Sequence, residues 1–466
     1  MPSRKFIQSI RNTIMRKHIL FTGFCAVLLW GSQSAAAQTR LGIEDESATS
    51  IGIYIKDLKT GRVVADRNSS LALMPASVMK IVTTASALHF LGENFKFTTD
   101  VNLVGSRNKS DNDVWEGNLV VKSVGDPTLE SENFKDNLGF CDSIVVNLRR
   151  LGIKEINGRI VVEQTLSNAG QVPEWQISDV ACGYGAGLYG FNYMDNTLMV
   201  TPATGSVKPY APGLEIERVT TTAGNQQLRG INSNQLYIFA RSFANKKWVI
   251  STTMPDPSAV FTAQLMNKLS DNGISLTDKT AKTEASATSD LVYSHKSPSS
   301  EDIFRSLMVR SDNLFAEGML RATLPGDSRY KAIKKEKELW TERGLPTKTL
   351  VISDGSGLAR TNRLTPKFIA GVLEYMAKSD KASTFVSFFP KAGKEGTMKS
   401  FLAKTALQGK IAMKTGSVNG VQCYAGYKLG ANGKPTHVIV VMVNSFFCSR
   451  QSLRKAIEGM LMKTFR

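Results

Sequence analysis

Residues Met74 to Gly92 read MPASVMKIVTTASALHFLG, and the reading of this stretch decides the fold. Pro75 and Ala76 precede a run with no Gly or Pro, apolar on nearly every face, and Gly92 ends it. That pattern predicts a buried helix. Ser77 and Lys80 stand three residues apart near its start, one turn apart on one face. A lysine among apolar neighbours loses charge readily, and can then take the proton of an adjacent serine hydroxyl. The spacing alone is weak evidence. Ser106-Arg107-Asn108-Lys109 repeats it inside GSRNKSDND, a polar turn with nothing to desolvate a lysine.

Moving outward, two further triplets recur. Ser-Asp-Asn occurs at Ser110-Asp111-Asn112 in the same polar turn, and at Ser270-Asp271-Asn272 before Gly273, where a helix ends. The third, Ser311-Asp312-Asn313, separates two helical segments, so its hydroxyl and amide can project into a cleft. Taken singly, such triplets are more often turns or caps. Lys-Thr-Gly occurs twice. Lys59-Thr60-Gly61 joins the strand-like SIGIYIKD and RVVADRN and reads as a hairpin turn. Lys414-Thr415-Gly416 is expected to begin an edge strand, where a glycine admits close approach of a ligand. Lys414 offers a cation, Thr415 and Ser417 offer hydroxyls, and the Ser417 N–H can help to bind an oxyanion. Together these suit a substrate that ends in a carboxylate.

Composition is that of a globular chain, 42% hydrophobic and 21% charged, with formal net charge +18 over 466 residues. Part of the basicity lies in the first residues: Arg4, Lys5, Arg11, Arg16 and Lys17 precede the apolar run Ile19–Gly31 and the small residues Ala35-Ala36-Ala37. This reads as a secretory signal spanning residues 1–37, cleaved after Ala37, which implies an exported, periplasmic protein. An uncleaved anchor is the alternative, though the run is shorter than the roughly 20 residues a bilayer requires. In an oxidising compartment Cys141, Cys182, Cys423 and Cys448 are free to pair in three ways. Without a C-x-x-C, and with only His89, His295 and His437 beyond the signal, no metal site is expected. Nucleic-acid binding has no support beyond charge. The residual basicity fits an anionic cell envelope, and solubility explains it nearly as well.

From about Phe97 to Ser289 short strand-like runs dominate, with helical pattern at NFKDNLGFCDSIVVNLRRLG and PSAVFTAQLMNKLSDNG. This predicts a mostly β insert in two pieces, residues 98–289, interrupting a domain made of residues 38–97 and 290–466. Helical segments return after it, followed by VQCYAGYKLG and PTHVIVVMVNS around Asn432-Gly433, and a last helix. The expected fold class is α+β: an antiparallel sheet from the N-terminal hairpin and C-terminal strands, helices on both faces, and an all-helical subregion carrying Ser77 and Ser311. In the last helix Ile457, Met460, Leu461 and Phe465 leave two readings, a core-facing stripe or peripheral membrane contact.

Ser77/Lys80, Ser311/Asn313 and Lys414/Thr415/Gly416 follow the order found in β-lactamases and penicillin-binding proteins. PASVMK, GNLVVKSVGDPTL, INGRIVVE, VISDGSGLAR, KAGKEGTMKS and AMKTGSVNG add to it. The chain resembles the class C low-molecular-mass penicillin-binding proteins, the D-alanyl-D-alanine carboxypeptidase/endopeptidase family with its penicillin-binding/serine β-lactamase-like transpeptidase domain and large two-part insert. The resemblance covers nearly all of the mature chain. It implies that Ser77 becomes acylated, that Lys80 takes its proton, and that Ser311 with Lys414 relays a proton to the leaving D-alanine. It further implies that Asn313 holds the peptide amide and that Thr415 and Ser417 bind the terminal carboxylate. Ser77 and Ser417 N–H groups would form the oxyanion hole. A side pocket for diaminopimelate is implied at Asp179, Tyr184, Arg360 and Asn419. Two departures stand out: GYGAGLYG replaces the family's Ser-Ala-Pro stretch, and Asn419 stands where Gln is common. For Asp179 a helix cap or surface turn remains the plainer reading.

The implied partners are peptidoglycan peptides and β-lactam antibiotics as acylating inhibitors, with no cofactor; dimerisation is left open. Two other functions stay in view. A serine β-lactamase of the same fold is disfavoured by the large insert and the lack of an evident Glu-x-x-Leu-Asn. A non-catalytic wall-binding protein is disfavoured by the intact motifs. A Ser-His-Asp hydrolase lacks both a Gly-x-Ser-x-Gly elbow and the histidines.

Overall fold

The computed structural model describes residues 39–166, 170–220, 226–231, 233–242, 247–277 and 288–466. The expected signal segment lies outside them.

A five-stranded antiparallel sheet organises the chain. Its strands are β1 (Ser50–Asp57), β2 (Val63–Arg67), β3 (Ile411–Val418), β4 (Val421–Leu429) and β5 (Pro435–Asn444). Their spatial order is β3-β4-β5-β1-β2, so the first hairpin is completed by strands from the far end of the sequence. The β5 run VIVVMV has no polar alternation because both of its faces are covered. Val438, Val440 and Met442 join the core on one side, and Ile439, Val441 and Val443 the core on the other. Lys59-Thr60-Gly61 is the hairpin turn: the Asp57 carboxylate accepts from the Lys59 and Thr60 N–H groups, and Gly61 takes φ +73°.

One face of the sheet packs on α1 (Met79–Leu91), α2 (Ser300–Arg310), α3 (Asn313–Ala322), α4 (Arg329–Glu342) and α5 (Pro366–Lys378). The other packs on α6 (Arg450–Thr464), whose Leu453, Ile457, Met460 and Leu461 are buried there. The stripe offered for membrane contact is thus largely core. No helix among the described residues is long and apolar enough to cross a membrane.

Between α1 and α2 the chain builds further sheets. Thr98–Arg107 and Val114–Ser123 pair antiparallel, and Thr288–Lys296, which runs through residue 290, returns to pair with the first. Helices Phe140–Arg150 and Pro257–Asp271 pack on this sheet around Trp115, Phe140 and Phe261. Two three-stranded sheets follow, joined by a smaller cluster including Val200, Leu236 and Ile238. Cys141, Cys182, Cys423 and Cys448 are all free thiols. Burial pushes the Cys141 and Cys423 thiols up to about 12, which makes them inert.

Candidate active site

Ser77 lies in a 3₁₀ turn, Ala76–Val78, that leads directly into α1. Ala76 takes φ +45°, a left-handed conformation that non-glycine residues avoid. Gly357 explains how it is held. Its Cα lies so close to the Ala76 carbonyl that an added Cβ would sit 2.0 Å from that oxygen. A DGSG turn therefore braces the backbone next to Ser77 from outside the helix.

Lys80 is completely buried, and its ammonium donates to Ser77 Oγ (3.1 Å), Asn313 Oδ1 (2.5 Å) and the Ser356 carbonyl (2.7 Å). Burial pulls its pKa down to about 8, against the opposing pull of Asp354, Asp312 and Glu317. Lys414, also fully buried, donates to Ser311 Oγ and to the Thr415 carbonyl, each at 2.8 Å. Burial first and the Lys80 charge second lower its proton affinity strongly. Two ammonium groups in one dry site disfavour each other, so the site is built to give up a proton.

Ser311 caps the end of α2 at φ +66°, and Asp312 caps α3 by accepting from the Phe315 N–H at 3.0 Å. The tight junction turns the Ser311 hydroxyl toward Lys414 and the Asn313 amide toward Lys80. Asn313 also donates to the Tyr184 carbonyl at 2.7 Å, tying α3 to the segment that carries Tyr184.

Lys414-Thr415-Gly416 does lie on the edge strand, but in its middle: β3 begins at Ile411, because IAM pairs with GYK of β4. Gly416 brings the strand against the Ser77 turn. An added Cβ would meet the Pro75 carbonyl at 2.5 Å, Val78 N at 3.0 Å and Ser77 N at 3.1 Å. Ser417 is exposed at the cavity and receives a hydrogen bond from Arg450 at the start of α6. The same guanidinium also holds Gln422 Oε1 at 2.7 Å and the Val418 carbonyl at 3.0 Å.

A cavity of about 870 Å³ runs from Ser77, Ser311 and Asn313 past Ser417 and Asn419 to Asp179, Tyr184 and Arg360. All four side-pocket residues thus border the space in front of the serine. Asp179, on the short helix Ile177–Val180, is buried and accepts from the Tyr184 hydroxyl at 2.9 Å; its second oxygen has no partner. The unusual GYGAGLYG stretch has a local reason. Gly185 folds back over Asp179, where a Cβ would lie 2.0 Å from the Asp179 carbonyl oxygen. Arg360 donates to the Asn419 carbonyl at 3.2 Å and closes the pocket's far side. Among the described residues no group of His, Cys, Asp and Glu is placed to hold a metal ion.

Sequence reading overlooked several residues that support this arrangement. Asp354 accepts from Trp175 Nε1, the Gly357 and Ala359 N–H groups and Asn362 Nδ2, all within 2.8 Å, and from Ser356 Oγ at 3.0 Å. Glu317 accepts from the Gly355 and Ser356 N–H groups. The DGSG quartet was the available signal for Asp354. Nothing in the sequence marked Glu317 or Arg450.

A serine and a buried lysine one turn apart, beside the edge of a five-stranded antiparallel sheet, define a serine acyl-enzyme peptidase of the penicillin-binding class. Comparison with known proteins agrees. Residues 35–464 match the D-Ala-D-Ala carboxypeptidase 3 (S13) family, and the chain belongs to it. It is 25% identical over 432 residues to the D-alanyl-D-alanine carboxypeptidase DacB of Haemophilus influenzae, covering 85% of this chain and 86% of the relative. It is also 25% identical to the D-alanyl-D-alanine carboxypeptidase of Actinomadura sp. (strain R39), covering 84% and 77%. Its fold matches the crystal structure of penicillin-binding protein 4 (dacB) from Haemophilus influenzae with TM-score 0.74 at 24% identity, over 92% of this chain and 99% of the other. The same protein complexed with a novel β-lactam matches at TM-score 0.71 and 22% identity, over 93% of this chain and 99% of the other.

Proposed function

We propose that this chain is an exported, periplasmic serine DD-peptidase that removes terminal D-alanine from peptidoglycan stem peptides and cuts D-Ala–diaminopimelate cross-links. One observation carries the reading: the Lys80 ammonium, fully buried, bridges Ser77 Oγ and Asn313 Oδ1 at the head of an 870 Å³ cavity. Once neutral, Lys80 accepts the Ser77 proton as Oγ attacks the carbonyl between two D-alanines. Ser77 and Ser417 N–H groups stabilise the oxyanion. Ser311, hydrogen-bonded to Lys414, relays a proton to the leaving nitrogen, and D-alanine departs. Water then attacks the acyl-enzyme carbonyl; its proton passes to Lys80 and on to Ser77 Oγ as the ester C–O bond breaks, which frees the shortened peptide and restores the serine. Asn313 holds the peptide amide, with Thr415 and Ser417 at the terminal carboxylate. Gly416 keeps the strand close enough for both.

The unpartnered Asp179 oxygen, Tyr184, Arg360 and Asn419 supply an anion, a hydroxyl and a cation at one end of the cavity. That set suits a zwitterionic chain end, as diaminopimelate presents. Residues 98–289 act in this reading as a two-part insert, which brings Asp179 and Tyr184 to the cleft.

The test uses defined muropeptides, cross-linked and uncross-linked, with products read by mass spectrometry, alongside incubation with a penicillin. Long-lived acylation at Ser77 and release of D-alanine are expected, both lost in Ser77→Ala. Rapid turnover of the penicillin would indicate a β-lactamase instead. D-alanine release that survives in Ser77→Ala would overturn the site.

A further inference from the structure

Glu317 lies one helical turn after Asn313 on α3, so the two side chains share a face. Asn313 touches the Lys80 ammonium directly. Glu317 reaches it through the backbone of one residue, Ser356: its Oε1 accepts from the Gly355 N–H (2.9 Å) and the Ser356 N–H (2.8 Å), and the Ser356 carbonyl accepts from Lys80 Nζ (2.7 Å). Glu317 is fully buried, and its other oxygen lies 3.6 Å from Arg329 Nε of α4 without a hydrogen bond. A buried carboxylate whose ion pair, to Arg329, carries no hydrogen bond is costly, and leucine would fill a buried position more cheaply.

We propose that Glu317 is a positioning residue for the Lys80 base, pinning the 354–357 turn so that the Ser356 carbonyl holds the lysine at Ser77. The inference rests on the acyl-enzyme reading given above. The turn does two things at once. Ser356 sets the direction of the lysine head, and Gly357 braces the left-handed Ala76 next to the nucleophile. Glu317 is the only side chain seen to accept from both Gly355 and Ser356 N–H groups among the described residues. Asp354 shapes the remainder of the turn, accepting from Gly357 and Ala359 N–H groups.

Charge follows geometry. Lys80 is faced by Asp354 of the turn, by Asp312 and Glu317 at α3, and by Lys414 of β3. Glu317 in turn faces Asp354, Arg329 and Glu336 of α4, and Arg321 of its own helix. An ionised Glu317 favours the protonated lysine. Its neutral isostere therefore releases the Lys80 proton at lower pH, while a retracted carboxylate keeps the charge and loses the clamp.

The experiment measures the rate of Ser77 acylation by a fluorescent penicillin from pH 5 to 10 for the full chain and for Glu317→Gln, Glu317→Asp and Glu317→Ala. For Glu317→Gln, whose amide oxygen can still accept both N–H groups, the acid limb is expected to move down by about 0.5 pH unit or more, with a plateau close to the unmodified chain. For Glu317→Asp the acid limb should stay in place while the plateau falls by about 100-fold, the scale of an ångström-level misplacement. Glu317→Ala should combine the downward limb with the lowered plateau. An unmoved limb in Glu317→Gln together with an unmoved plateau in Glu317→Asp overturns the proposal, and both variants are read on folded protein, checked by near-UV circular dichroism. Should the unmodified chain fail to acylate at all, the parent reading falls instead, so the two failures are distinct.

Discussion

Gly416→Ala is the substitution whose consequence can be worked most directly from the coordinates. A methyl at that position would lie 2.5 Å from the Pro75 carbonyl oxygen and 3.0–3.1 Å from the backbone nitrogens of Val78 and Ser77. Contacts below 3.0 Å do not occur, so relief requires at least 3.0 − 2.5 = 0.5 Å of separation. All three obstructing atoms are backbone at the head of α1, with no flexible side chain to yield. Around Gly416 the strand is paired on one side only, by β4, and its outer side is bridged only further back, where Ala412 pairs with Lys391, so this end of β3 is what moves, taking Ser417 N, Thr415 and Lys414 away from Ser77. Sites of this kind tolerate about 0.5 Å of error, and an ångström of misplacement costs roughly 100-fold. Acylation of Ser77 by a β-lactam, followed by mass spectrometry under single-turnover conditions, is expected to slow by about 100-fold. Overpacking itself should cost only about 1–3 kcal/mol of stability, leaving a folded protein to assay. Gly420→Ala is the control: its φ of +72° is strained for alanine, yet nothing lies within 4 Å of the added methyl. If Gly416→Ala acylates as fast as the unmodified chain, close approach of the strand to Ser77 is not what builds the site.

Three further outcomes are expected. In the proposed mechanism the neutral form of Lys80 is the base, and its pKa is lowered to about 8, so acylation should rise with pH, reach half its plateau near pH 8 and level off above about 9. Below about pH 8 it should drop about tenfold per unit; a flat profile from pH 6 to 9 would exclude Lys80 as the titrating base. Asp354→Asn leaves the donors now converging on two carboxylate oxygens facing an amide NH2, and should lower stability by about 3 kcal/mol in urea unfolding. An unchanged midpoint there would mean that the turn is held by packing alone. Arg450→Ala frees the Ser417 hydroxyl and removes a cation beside the expected carboxylate position, so KM for peptides with a free C-terminal carboxylate should rise about tenfold. The KM of a C-terminally amidated peptide should not move, and an equal rise for both would assign Arg450 to loop structure.

Much of this molecule is legible in its sequence because local pattern carries it. The uninterrupted apolar run after Pro75 reads as a buried helix, and Ser77, in the 3₁₀ turn that leads into it, stands one turn from Lys80. Continuous apolarity in PTHVIVVMVNS marks a strand buried on both sides, and the polar setting of Ser106–Lys109 excludes the rival Ser-x-x-Lys. Order along the chain then separates Lys414-Thr415-Gly416 from the hairpin turn at Lys59. Long-range placement is another matter. That β5 pairs with β1, that Gly416 meets Pro75, and that Tyr184 reaches Asn313 are contacts between residues over 100 positions apart, set by how whole layers pack. Glu317 shows the difference most plainly. In sequence it is one acid in an amphipathic helix, indistinguishable from a solvated one. Only when α3 packs against the DGSG turn does it become a buried carboxylate beneath the Ser356 peptide, because burial and partner identity are properties of the assembled core and no helix possesses them alone.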